Sequence, residues 1–131
     1  MQINQGMSKY KPEYLGCIAA NEIGTLKPTT KRVCWVMNTD PRSKPGSHWV
    51  CFFMDLRPEG SHSVEYYDPL ADPISPDVIA DLKRFIKQIY PANEYLKFRE
   101  NKITDQNDTS SNCGQFCVNF LQRRLKGRNV C

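Results

Sequence analysis

Residues 48–56 read HWVCFFMDL. From Val50 to Met54 every side chain is apolar, so an extended chain here would present oil to both sides. That is the pattern of a strand covered on both faces, in the middle of a sheet. Working outward, RVCWVMNT (32–39) is rich in apolar and β-branched residues and reads as a second strand. VEYYDPL (64–70) reads as a third, ended by Pro69. The connecting stretches TDPRSKPGS (39–47) and RPEGSHS (57–63) are dense in turn formers. Three strands on short loops predict an antiparallel meander.

Farther out the period changes. In SPDVIADLKRFIKQIY (75–90), Ser75 can cap a helix, Pro76 suits its first position and Asp77 the positive end of its dipole. Val78, Ile79, Leu82, Phe85, Ile86 and Ile89 form one stripe at helical spacing, and Lys83, Arg84 and Lys87 face away. YLKFRENKITDQ (95–106) has room for one or two short strands, and NDTSSN (107–112) is a polar loop. CGQFCVNFLQRRL (113–125) gathers Phe116, Cys117, Phe120, Leu121 and Leu125 on one face of a second helix that Cys113 opens. The expected fold class is α+β, a central, mostly antiparallel sheet with flanking helices. With 131 residues it is read as one domain over 1–131. Residues 1–13 are polar and expected to be loose.

The first fourteen residues, MQINQGMSKYKPEY, lack the apolar centre of a secretory signal, and no apolar run approaches the ~20 residues that span a bilayer. The expectation is an intracellular protein in a reducing compartment, with no membrane partner. Its six cysteines are then not a disulfide framework. No CxxC pair is present, so no metal site is expected. Cys34 and Cys51 lie in apolar runs and read as small buried hydrophobes. The net charge of +4 permits an acidic partner without demanding one.

Four residues can carry chemistry. Cys113 opens a helix, where unpaired N–H groups and the dipole favour thiolate. Gly114 beside it lets a substrate backbone come close; the alternative is a merely structural cysteine. His48 follows a Pro-Gly-Ser turn, where an imidazole can reach out and serve a thiol as base. His62, in the polar turn EGSHS, is the weaker candidate. Asp68 can orient the base from the next strand, with Asp55, Glu65 and Asp72 as weaker choices. Oxyanion donors can come from the N–H of Cys113 and the amide of Gln106, seven residues upstream. Each alone is as well explained by capping, turn formation or solvation.

In that chain order, with Trp49 after the histidine, these residues resemble the adenovirus proteinase (adenain) family, whose core the SUMO and other ubiquitin-like-protein proteases share. YLG (14–16), VMNTD through GSHWVCFF (36–53), YYDPLAD (66–72) and QNDTSSNCGQFCVNFL (106–121) carry the resemblance, the last most specifically. It implies Cys113 as nucleophile, His48 as base, Asp68 as orienter, Gln106 in the oxyanion hole and Trp49 narrowing the substrate channel. It also implies a preference for glycine before the cut. No cofactor is needed for such chemistry, but the resemblance implies a peptide or DNA activator. Adenain takes its peptide through a cysteine between the acidic residue and the glutamine, and none lies between Asp68 and Gln106 here. The sequence also ends soon after the helix of Cys113, so the expectation is a minimal, monomeric version or one completed by a partner. For DNA, Arg123, Arg124, Lys126 and Arg128 are the candidate contacts, although basic residues at a helix end also suit its dipole.

The reading favoured by these residues is a thiol endopeptidase with a polypeptide substrate. It would be a viral or virus-like enzyme maturing structural precursors, and then found in virion and host nucleus. A ubiquitin-like-protein deconjugase, a catalytically idle binding module on the same fold and a zinc-binding module are the rivals.

Overall fold

The computed structural model describes residues 3–39, 48–90, 96–101 and 113–126. Its strands are β1 (Tyr14–Ala19), β2 (Arg32–Asn38), β3 (Trp49–Asp55), β4 (Ser63–Tyr67) and β5 (Lys97–Glu100). Its helices are α1 (Ile3–Met7), α2 (Pro76–Ile89) and α3 (Cys113–Leu125). The five strands form one sheet in the order β1-β2-β3-β4-β5. The middle three make the expected antiparallel meander, with Phe52 opposite both Trp35 and Tyr66. The outer strands β1 and β5 pair parallel to β2 and β4, which makes the whole sheet mixed. A parallel partner needs a long crossover. The chain from Asp68 to Leu96 supplies one, with α2 as its core.

Alternation along the strands divides the core in two. Val33, Trp35, Met37, Val50, Phe52, Met54, Val64 and Tyr66 point to one face, where Leu82, Phe85 and Ile86 of α2 close over them. Trp35 stacks on Phe52 at 4.9 Å and meets the edge of Phe85 at 5.5 Å. Ser75 caps α2 as expected, its Oγ accepting from the Val78 N–H at 3.3 Å. Cys34, Val36, Cys51, Phe53 and Tyr67 point to the opposite face, covered by Cys117, Phe120, Leu121 and Leu125 of α3. Both faces of β3 are therefore covered, which is what HWVCFFMDL required.

Residues 3–10, expected to be loose, instead form α1 and a 3-10 turn. Met7 is fully buried in the α3-side core, and the Gln122 amide donates to the Gly6 carbonyl at 3.2 Å. Met7, with Tyr10 packed beside it, docks this otherwise polar stretch on the α3-side core.

The turn between β3 and β4 wraps a carboxylate. Asp55 accepts from the backbone N–H of Arg57 and from its guanidinium at 2.8–3.2 Å. Gly60 closes the turn, and a Cβ there would lie 2.2 Å from the Asp55 carboxylate. Burial pushes the Asp55 carboxyl up, but the Arg57 bonds outweigh it and hold the carboxyl below its ordinary value.

Candidate active site

β2 ends, β3 begins and β4 ends at the same edge of the meander, and His48 and Asp68 flank that edge. The His48 carbonyl accepts from the Thr39 N–H at 3.0 Å, so the β2–β3 ladder runs one step past β3 and holds the histidine backbone. His48 Nε2 lies 2.7 Å from Asp68 Oδ1. A carboxylate only accepts, so Nε2 carries the ring proton and Nδ1 is the nitrogen that can take one up. His48 is partly exposed and Asp68 is 1% exposed. The two line a cavity of about 240 Å³ with Met37, Thr39, Tyr66 and Asp72.

Asp68 is fixed on every side. Its Oδ1 also accepts from the Leu70 N–H at 2.8 Å, and its carbonyl accepts from the Ala71 N–H at 2.8 Å. The turn DPLA that makes these bonds holds Ala71 in the left-handed region at φ 58°, at a cost of roughly 1 kcal/mol or more for a residue with a Cβ. Asn101, just after β5, bonds both backbone groups of Asp68: its Oδ1 accepts from the Asp68 N–H at 2.9 Å and its Nδ2 donates to the carbonyl at 2.6 Å.

The helix of Cys113 arrives from the other face. Cys117 Sγ donates to the Trp49 carbonyl at 3.5 Å. Farther along, the Arg124 guanidinium makes a bidentate pair with Glu65 at 2.8–3.0 Å, and Glu65 lies opposite Phe53. α3 therefore runs beside β3 from its Trp49 end toward its Phe53 end. Cys113, one turn before Cys117, starts the helix at the end of β3 where His48 stands. Gly114 is buried in that first turn. Trp49 is partly buried and packs with the α3-side core rather than with the His48 cavity.

The other described thiols are poorly suited to attack. Burial pushes Cys34 up to about 12, and pushes Cys51 well up and Cys17 up as well. His62 stands before β4, six residues from Asp68 and so ~20 Å along an extended chain. It packs near Tyr90 at 6.3 Å. It is too far from Asp68 to share in this site.

Gln106 and Arg128 lie outside the described residues. Of the basic cluster, Arg124 is committed: Glu65 takes its guanidinium, which also lies 4.5 Å over the Phe120 ring. A residue expected to face phosphate thus pins α3 to β4, and Arg123 and Lys126 are the remaining described members. Sequence reasoning did not find Asn101, whose only signal was an amide placed just after a strand.

No family model matches the chain. Over 116 residues it is 27% identical to a cysteine protease of African swine fever virus from a Malawian tick isolate, a match covering 88% of this chain and 41% of the viral protein. In a Kenyan pig isolate, where the protein is named a SUMO-1 cysteine protease, the identity is 26% over the same length. The crystal structure of the African swine fever virus protease superposes with a TM-score of 0.69 at 19% identity, over 99% of this chain and 56% of that one. The fold is adenain-like. ChlaDub1 from Chlamydia trachomatis shares it with a TM-score of 0.53 at 23% identity, over 74% of this chain and 49% of its own. The chain spans less than half the length of the curated relatives it matches.

Proposed function

We propose that this chain is the catalytic part of a thiol endopeptidase that cleaves polypeptides. The observation that carries the reading is the 2.7 Å His48–Asp68 pair at the sheet edge where the Cys113 helix begins. Nδ1 of His48 accepts the Cys113 thiol proton, and Asp68 holds the resulting imidazolium through Nε2. The thiolate adds to the scissile carbonyl, and the oxyanion takes hydrogen bonds from the Cys113 N–H and the Gln106 amide. As the C–N bond breaks, the imidazolium gives its proton to the leaving amine. Water, deprotonated by the same nitrogen, then releases the acyl group from sulfur and restores the thiol.

For the substrate we favour structural precursors of a virus or virus-like element, cut after glycine-containing motifs. The viral relatives and the family resemblance support this. A ubiquitin-like protein is the second reading, favoured by the SUMO-1 protease name that relatives bear. A peptide or DNA activator is a further proposal, with Arg123, Lys126 and Arg128 as DNA contacts. Salt-sensitive stimulation of cleavage by duplex DNA, lost when those residues are neutralised, would support it.

Treating the protein with a thiol-reactive peptide inhibitor and mapping the adduct by mass tests the assignment. Modification at Cys113 is expected, and modification at Cys17 or Cys131 instead would overturn it. Glycine-rich precursor peptides assayed beside a SUMO C-terminal reporter separate the two substrates.

A further inference from the structure

We propose that Asn101 is a positioning residue for the base: its side-chain amide clamps the backbone of Asp68 and so aims that carboxylate at His48. The inference rests on His48 and Asp68 being the catalytic pair.

The need for a clamp follows from where the β-ladder stops. The β4–β5 pairing runs to Tyr66 opposite Glu100. Asp68 lies beyond it, and the next residue, Pro69, has no N–H with which to continue. The N–H and C=O of a residue that is 1% exposed are thus left without strand partners. A carboxamide offers one acceptor and two donors in a plane, as a peptide group does. Asn101 supplies both in place of the missing strand, at 2.9 and 2.6 Å. With its backbone held from β5, Asp68 can keep Oδ1 on Nε2 to within the few tenths of an ångström that a preorganised site requires. Asn101 acts on the base through these two bonds to the Asp68 backbone.

Among the described residues, the charged and titratable groups that line the cavity with His48 are Asp68 after β4, Asp72 and Tyr66. Asp72 is solvent-exposed and its charge is screened. Asp68, 2.7 Å from Nε2, stabilises the imidazolium, and loosening it lowers the pH at which His48 titrates.

The test uses the chain's two histidines. In the Cys113→Ala protein, imidazole NMR follows His48 and His62 as pH changes, with and without Asn101→Ala. The expected result is a His48 midpoint lower by about half a unit to one unit, with His62 unmoved. In the active protein, Asn101→Ala lowers kcat about tenfold or more with KM little changed, and the acidic limb of kcat/KM moves by the NMR shift. Asn101→Gln, which keeps both groups on a longer stem, restores part of the midpoint and reads the same effect if the alanine variant does not fold. Folded variants whose His48 midpoint matches the parent overturn the proposal, even if they are less stable. A parent chain that cleaves nothing would count against the protease reading alone, because the titration needs no turnover.

Discussion

The two faces of the sheet are packed with different chemistry. On the α2 face, Trp35, Phe52, Tyr66 and Phe85 interlock ring against ring, and the layer is almost wholly apolar. On the α3 face the strands offer Cys34, Val36 and Cys51, and the helix answers with Cys117 and Val118. Such small side chains permit a close helix. Two of the rings there, Tyr67 and Phe120, stack at 4.6 Å, and the Arg124 guanidinium lies over Phe120. The α2 face supplies mass to bury. The α3 face supplies a registered helix, pinned by Cys117 near its start and by Arg124 near its end. Ring packing and the placement of the Cys113 helix are thereby assigned to opposite sides, and His48 and Asp68 stand at the edge between them.

The largest effects should come from that edge and leave both faces intact. Cys113→Ala and His48→Ala are expected to cut peptide cleavage by about 10⁴-fold or more, with thermal midpoints close to the parent. His62→Ala should cleave at the parent rate, and the reverse histidine pattern would mean the wrong base was chosen. Asp68→Asn should lose about 10²- to 10⁴-fold in kcat, because it keeps the shape and removes the charge that supports the imidazolium.

On the α2 face the cost should be stability. Trp35→Ala is expected to lose about 3–5 kcal/mol in urea unfolding, with residual activity tracking the folded fraction. A small loss would mean this face is not the main store of burial. On the α3 face Arg124→Ala should cost only about 1–2 kcal/mol, since the pair is partly exposed. Its kcat should fall further than its stability predicts if the pair sets the register of α3. Equal kcat in the folded fraction would remove that role.

The smallest effect lies away from both faces. Asp55 titrates below its ordinary range when folded, so its contribution is present at neutral pH and fades as pH falls below about 4. Asp55→Asn should therefore be less stable than the parent at pH 7, by about 1 kcal/mol. The gap should close toward pH 3, and a gap that widens in acid would reverse the sign of the argument.

Much of this division is legible in the residues themselves. Continuous apolarity in β3 announces two covered faces, and the caps and stripes of 75–90 and 113–125 announce their covers. The histidine and aspartate are legible because strand ends and turn residues place them at one edge. What stays hidden depends on contacts distant in the chain. Nothing near Asn101 points to Asp68, and the polarity of 1–13 conceals the docking of Met7. The parallel pairing of β1 and β5 depends on crossovers rather than on the composition of either strand. Arg124 reads as surface charge until Glu65, nearly sixty residues earlier, comes to meet it.

Trp35 and Trp49 divide the molecule in another way. They are its two tryptophans, one sealed against Phe52 and the other partly open at the end of β3 where the Cys113 helix begins. Their fluorescence should therefore carry two separable signals. The deep indole brightens or fades with unfolding, and the outer one answers a water-borne quencher. With Phe at position 49, the remaining emission would report the fold alone; with Phe at position 35, it would report the open end of β3.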